Sequence, residues 1–391
     1  EMYAALFDNN IFYILKNISS RCGSKIIVEL TKKYYPIVFI CLLYMYVPNS
    51  ISIQPLSNNE QSAASPTPIP TETRINRSNS TLVNIPEAPL IRDISYSPDG
   101  QHIAVASSVD LRLYDVKSGE LGEPLTKNAM RSARWSPDGD RLASVSRDNV
   151  IDVWDISTEE IVFSLHGHSG VVHRIHWSPD GSELVSCGND GTLIVWDMST
   201  GELLTNIDDQ KYSIRDVSWS PDGQHIAYGS AEGLVYVWNR ETRKQIRVLE
   251  KHTKSVYSVS WSPNGKKIAS GSADGSVVIW DWESGEPLLS FKQHTDWVYS
   301  IAWSPDGLRL ASGSADKSVR VWDGRTGTEH HLLDEERLKG YGLTMTSSIV
   351  YSVSWSPDGD KVASGTFSGN LYIWNLPRSI PHRGGKIEFS H

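Results

Sequence analysis

The side chains of this 391-residue chain best suited to chemistry are its histidines. His166, His168, His173 and His176 form the densest group, and His330 and His331 are adjacent. Imidazoles gathered in this way could ligate zinc or a similar cation. The spacing argues against it, because His173 and His176 stand three apart in a stretch of strand character and alternation sends them to opposite faces. Cys22, Cys41 and Cys187 form neither a CxxC pair nor a disulfide framework, and Cys187 reads as a buried or half-buried strand thiol. There is no placeable pair of catalytic carboxylates, no Walker loop, no dinucleotide fingerprint and no nucleophile elbow. The sequence calls for no metal, no cofactor and no enzyme active site.

Composition narrows the remaining classes. Lys and Arg number 37 against 46 Asp and Glu, a formal net charge of −9. A general nucleic-acid binder needs a basic excess to displace counterions, so that class is excluded. Apolar residues make up 39% of the chain, enough for a large core. All 14 Trp fall between Trp135 and Trp374, so the chain divides into two kinds of sequence.

The first 80 residues form a lead. Residues 1–33 have no defined character. Residues 34–50 are apolar, with an uncharged core at 34–47 behind Lys32 and Lys33, which suits a signal segment or an anchor. That reading makes the protein exported or membrane-tethered; the alternative is a cytoplasmic protein. Residues 51–80 turn to Ser, Pro, Thr and Asn, as in Ser65-Pro66-Thr67-Pro68, and read as a disordered linker. Asn76 and Asn79 each begin a glycosylation sequon, meaningful only in a secretory setting.

Residues 81–391 are repetitive. Ser-Pro-Asp-Gly begins at Ser97, Ser136, Ser178, Ser220, Ser304 and Ser356, with Ser-Pro-Asn-Gly at Ser262, giving spacings of 39, 42, 42, 42, 42 and 52. The unit around Ser262 reads as four short strands: Val256–Trp261, Lys267–Ser270, Val277–Asp281 and Pro287–Ser290. Pro presets the turn between the first two, and Gly takes the left-handed position after it. One such sheet cannot bury both faces alone, so the units must pack around an axis as blades. Seven copies give an all-β, seven-bladed propeller.

These units resemble the WD40 family. Trp154-Asp155, Trp196-Asp197, Trp280-Asp281 and Trp322-Asp323 end the third strands, with Trp238-Asn239, Trp374-Asn375 and Tyr114-Asp115 as variants. The resemblance covers residues 81–391. It implies a buried polar relay from the third-strand Trp to Ser, His and Asp, complete on three blades. These sets are Trp196, Ser186, His168, Asp190; Trp280, Ser270, His252, Asp274; and Trp322, Ser312, His294, Asp316. A Ser-His-Asp set invites a hydrolase reading, but recurrence at one blade position, with Trp engaging the hydroxyl, makes it structural. Gln210 and Thr346 replace the His in the fourth and seventh blades. Ring closure is expected from residues 81–86 as the outer strand of the last blade, with Lys386–Ser390 as a competitor.

The resemblance also implies that partners dock on the face whose loops enter the innermost strands. There, five residues before each Ser-Pro, stand Arg92, Arg131, His173, Arg215, Tyr257, Tyr299 and Tyr351. Leu90, Trp297 and Ile349 lie two earlier, and Arg147, Asn189 and Phe367 precede the next turn. Blades one to four thus offer cations and blades five to seven aromatics, against a solvated rim as the plain alternative. The expectation is a binding scaffold for a protein or peptide with an acidic end and an apolar or aromatic end. The ten extra residues around Asp334–Thr346 fall on the same rim. The competing reading is a ligand sensor or enzyme with a site in the central channel.

Overall fold

A computed structural model describes residues 75–77, 80–84, 90–207, 211–334 and 348–376. The apolar stretch 34–47, the linker up to residue 74, Gln210, Thr346 and Lys386–Ser390 lie outside the described residues. The described part is all strand and turn, arranged as seven antiparallel sheets in chain order. The unit around Ser262 forms strands Val256–Trp261, Lys267–Ser272, Val277–Asp281 and Pro287–Phe291, within two residues of the sequence reading.

The seven innermost strands begin at Ile91, Met130, Val172, Ile214, Val256, Val298 and Val350. Each lies against the next, and Val350–Trp355 returns to Ile91–Tyr96, so the ring closes. The core is divided accordingly into seven clusters, each built from two neighbouring blades. At the closing seam Ile91, Ile94 and Ile103 meet Ala363, Leu371 and Ile373. Contact there is so close that a Cβ on Gly365 would stand 2.6 Å from Ile91 Cγ2.

Closure uses the expected segment. Ser80–Asn84 pairs antiparallel with Asn370–Asn375, from Ser80 against Trp374 to Asn84 against Asn370, and Val83 is buried in the seam. A three-residue strand, Ile75–Arg77, adds outside it. The last sheet therefore takes in Ile75–Arg77 and Ser80, which the sequence reading placed in the linker. The first blade departs from four strands: it has three, plus isolated bridges Leu111↔Thr126 and Tyr114↔Leu121. Gly122 and Pro124 interrupt that segment, and proline has no N–H for a ladder.

Local chemistry explains why the repeats fold alike. All seven glycines of the Ser-Pro-Asp/Asn-Gly turns have φ between +68° and +82°. The turn Ser hydroxyl donates to the Asp, as from Ser178 to Asp180 at 2.6 Å. The Asp of Trp-Asp accepts from the backbone two and three residues on, as Asp197 does from Ser199 and Thr200. Only an acceptor oxygen is needed, which is why Asn239 serves in the fourth blade by accepting from Thr242.

Asp93 ties three blades together. Fully buried, it accepts from Ser352 of the last blade at 2.9 Å and from Ser132 and Arg134 of the second at 2.7 and 2.5 Å. Burial alone would raise its pKa, but Arg134 and Arg174 prevail and hold the carboxyl below its ordinary range. Replacing Asp93 by Ala leaves Arg134 without its carboxylate and is expected to cost roughly 3–5 kcal/mol. Denaturant unfolding measures this, and a cost under about 1 kcal/mol would show that the seam does not need the carboxylate.

Candidate partner-docking face

The rim residues owe their position to a backbone irregularity. In all seven blades the pairing of the first two strands slips by one residue, between Ile91 and Asp93, Met130 and Ser132, Val172 and Arg174, and their counterparts. The residue inside each slip is Arg92, Arg131, His173, Arg215, Tyr257, Tyr299 or Tyr351. A β-bulge frees its residue from the ladder and re-aims the side chain. These seven positions therefore fall outside the ladder register and are half-buried at the entry end of the innermost strands.

The flanking residues join the same rim. Arg147 donates its backbone N–H to Ala129, Asn189 to Val171, and Phe367 to Ile349, each just ahead of an innermost strand. Ring contacts link Tyr257 to Trp297 at 5.6 Å, Tyr257 to Tyr299 at 5.1 Å, Tyr299 to Tyr351 at 4.7 Å, and Tyr351 to Phe367 at 6.3 Å. The aromatic half is thus one continuous arc, and Arg215 sits 5.6 Å from the Tyr257 ring at one end of it. Leu90, buried, and Ile349, half-buried, complete the set.

The other half is cationic. Desolvation and the nearby charges of Arg92 and Arg147 push Arg131 down to about 10. Desolvation likewise lowers Arg92, with Arg147 and Arg174 adding to it against the opposing effect of Tyr351. Among the described residues none of Arg92, Arg131, Arg147 and Arg215 is in an ion pair. The Nε atoms of Arg131 and Arg215 are buried without a hydrogen-bond partner. His173 differs from the sequence expectation of a cation: burial, then Arg215, Arg131 and Arg174, push its pKa to about 3. It stays neutral and lies 3.3 Å from both Arg215 Nη1 and Ser213 Oγ.

Sequence reasoning missed the next column inward: Asp93, Ser132, Arg174, Asp216, Ser258, Ser300 and Ser352. Asp216 accepts from Ser258 Oγ at 2.8 Å and from the Val259 N–H at 2.9 Å, crossing one blade seam. Ser300 accepts from the Val353 N–H at 3.1 Å across another. The legible signal was a polar residue four before Ser-Pro in every repeat, inside an otherwise apolar strand.

The relay residues come together on three blades. Trp196 Nε1 donates to Ser186 Oγ at 2.9 Å; His168 Nε2 lies 2.8 Å from that hydroxyl, and its Nδ1 lies 3.0 Å from Asp190. The sixth blade repeats this at 2.9, 2.7 and 2.8 Å with Trp322, Ser312, His294 and Asp316. In the fifth, Trp280 and His252 engage Ser270 at 2.8 and 2.7 Å, while His252 Nδ1 is 3.4 Å from Asp274 and closer to Ser276, at 2.9 Å. The second and seventh blades keep only Trp154 to Ser144 and Trp374 to Ser364. In the fourth, Tyr228 fills the space by stacking on Tyr236.

The other candidates separate. His176 lies toward the opposite end of its strand, beside Trp177 and Trp219, and burial with Arg134 pushes it down to about 4. Among the described residues no group of three or more His, Cys, Asp or Glu could hold a metal. Cys187 is buried and burial raises its thiol pKa.

The closed ring of seven repeat blades, the Trp-Asp turns and the relay define the class: the chain is a WD40-repeat protein with a seven-bladed β-propeller. Comparison adds detail within that class. Residues 231–383 match a family model described as the first β-propeller of IFT122, and residues 131–293 match one described as the first β-propeller of WDR19. The human intraflagellar transport protein 122 homolog is 33% identical over 78 residues, 19% of this chain and 6% of that protein. The human U5 small nuclear ribonucleoprotein 40 kDa protein is 39% identical over 49 residues, 12% of this chain and 13% of that one. Chicken WD repeat-containing protein 1 is 36% identical over 85 residues, 20% and 14% respectively. The matched stretches thus span a small part of each relative.

Two outcomes follow from the relay. Ser312→Ala strips both Trp322 and His294 of a partner and is expected to cost about 1–3 kcal/mol in denaturant unfolding. Ser144→Ala strips only Trp154 and should cost less. The second concerns acid. Burial favours the neutral form of Asp190, Asp274 and Asp316, but hydrogen bonds, from His first, prevail and depress all three. Their contribution is full above the ordinary Asp value near 4 and is lost as pH falls below it. Buried neutral His173 and His176 already cost stability as pH falls through about 6.5, so melting temperature should decline from there and more steeply below about 4, with the steeper part shallower in Asp316→Asn; an equal drop in that variant would contradict the assignment.

Proposed function

We propose that this chain is a protein-interaction scaffold that holds a peptide or protein on the face bearing Arg92, Arg131, Arg147, His173, Arg215, Tyr257, Trp297, Tyr299, Tyr351 and Phe367. One observation carries the reading: four arginines without a carboxylate partner among the described residues adjoin an unbroken aromatic arc. A partner with an acidic end and an apolar or aromatic end complements both halves. Guanidinium groups supply charge-assisted hydrogen bonds, and Tyr, Trp and Phe supply rigid contact area. The names of two relatives, one of intraflagellar transport and one of a small nuclear ribonucleoprotein, belong to multi-protein machinery and support the scaffold reading. A site for chemistry on the innermost strands is less favoured, because Ser132, Arg134 and Ser352 all bond to the buried Asp93 carboxylate.

Export or a tether rests on the sequence of residues 34–47 alone. Among the described residues no helix is long and apolar enough to cross a membrane. The intraflagellar transport relative fits the cytoplasmic alternative better than export.

The experiment is affinity capture with the full chain and with Arg131→Glu/Arg215→Glu, followed by titration of the retained partner. Reversing two unneutralised charges is expected to weaken binding by at least roughly thirtyfold, the lower end of what removing a buried charged contact costs. Unchanged affinity, with the variant melting normally, would reject this face.

A further inference from the structure

We infer that the lateral seam between the third and fourth blades is a second binding site, which takes an extended acidic peptide and seats one of its large apolar side chains. It lies on the outer strands, apart from the entry face, and stands independently of the docking reading above. The starting point is a break in the repeat. Each regular fourth strand directs one side chain toward the next blade: Phe163, Thr205, Arg247 and Leu289, paired in turn with Val153, Val195, Val237 and Ile279. Between the second and third blades Phe163 lies on Gly201, where a Cβ would stand 2.6 Å from the ring. Arg247 bridges the fourth and fifth blades by donating from Nε and Nη2 to the Glu283 carbonyl at 3.0 and 2.8 Å. Leu289 lies against Gly327 of the sixth blade, 3.6 Å from where a Cβ would stand.

The seam of the third and fourth blades departs from this pattern on both sides. Thr205 is too short to reach across, and Arg243 stands where the third and sixth blades have Gly201 and Gly327. Arg243 holds the left-handed conformation at φ 52°, as those glycines do at 76° and 73°. Glycine is the residue suited to that conformation, so a side chain here is held against backbone preference. Its Cβ also takes the space on which a ring like that of Phe163 would lie, so the two departures are sterically one. The result is a groove of about 730 Å³, with Leu204, Thr205 and Ile207 on one wall, Arg243 and Lys244 on the other, and Trp238 beneath.

Shape and charge together name the occupant. Leu203 and Leu204 are exposed beside the groove, and Thr205 and Ile207 are half-buried within it. Among the described residues Arg243 and Lys244 are in no ion pair, and none of the lining residues is acidic. The complementary ligand carries carboxylates around an apolar side chain large enough to take the place that Phe163 fills one seam earlier. Its backbone has a place as well. Leu203–Ile207 is the last strand of its sheet, and an extended segment can add beside such an edge. This chain adds a strand in that way at the last blade, where Ile75–Arg77 pairs outside Ser80–Asn84. A second copy meeting this face symmetrically would set Arg243 and Lys244 against themselves, which disfavours it.

The test uses purified full chain and three immobilised arrays of short degenerate peptides: central Phe flanked by Asp and Glu, central Ala with the same flanks, and central Phe flanked by Lys. The acidic Phe array should retain the chain at least roughly tenfold better than either of the others, the scale of one buried anchor with a charged neighbour. Thr205→Phe/Arg243→Gly rebuilds the arrangement of Phe163 and Gly201, and should lose that capture while melting at or above the parent temperature. Arg243→Gly alone keeps the groove open, and should still prefer central Phe to central Ala. Leu204→Glu, at an exposed position, sets a carboxylate at the mouth and should weaken capture by a similar factor without affecting melting. Undiminished capture by the filled variant or by Leu204→Glu removes the site from this groove and overturns the inference. Equal retention by the Phe and Ala arrays overturns the apolar anchor, and equal retention by the acidic and Lys-flanked arrays overturns the acidic ligand. A concentration-dependent dimer in sedimentation, abolished in the filled variant, assigns the groove to a second copy instead.

Discussion

The structure depends on the seam between neighbouring blades. A four-stranded sheet of this size has two apolar faces and no means of covering either, so no blade is stable until both neighbours are in place. The seven core clusters are the expression of that constraint: each belongs to two blades and none to one. The last and first blades must therefore meet, and three devices bring them together. Ser80–Asn84 covers the outer edge of the last sheet, Gly365 admits Ile91 at short range, and Asp93 bonds to Ser352.

Rigidity at the seams is what allows strain at the rim. Half-buried Arg92 and Arg131, with exposed Arg147 beside them, form a local conflict of like charges that no ion pair among the described residues relieves. Such conflicts persist where surrounding structure over-determines the backbone. The bulge supplies the geometry. By leaving one residue per blade out of the ladder register, it sets seven half-buried side chains at the same end of the innermost strands.

The same seam logic separates the relay from catalysis. Ser186, Ser270 and Ser312 already accept from a Trp indole and contact a His, so their hydroxyls are enclosed hydrogen-bond junctions. Where the His is missing, the blade keeps the Trp-to-Ser bond or fills the space with stacked Tyr228 and Tyr236. Variation of this kind is tolerated because each blade's remaining contacts lie across its seams.

Much of this was readable in the residues. Turn residues, strand lengths and the number of blades follow from local rules acting at a fixed period, and local rules are what a linear sequence records; the membership of each relay came from the resemblance to WD40 repeats, and two segments competed to close the ring. The chain also recorded that cations and aromatics fall on different blades. It did not record that Tyr257 interrupts an alternating strand as a bulge, because a bulge is a property of two paired strands. Nor did it reveal that His173 is neutral, that Asp93 joins three blades, or that the first blade lacks a regular fourth strand. Those outcomes are set by burial, by neighbours 40 to 260 positions away and by the electrostatics of groups brought together only when the ring closes. Period and pattern decide what each blade is; proximity between blades decides what their shared face can hold.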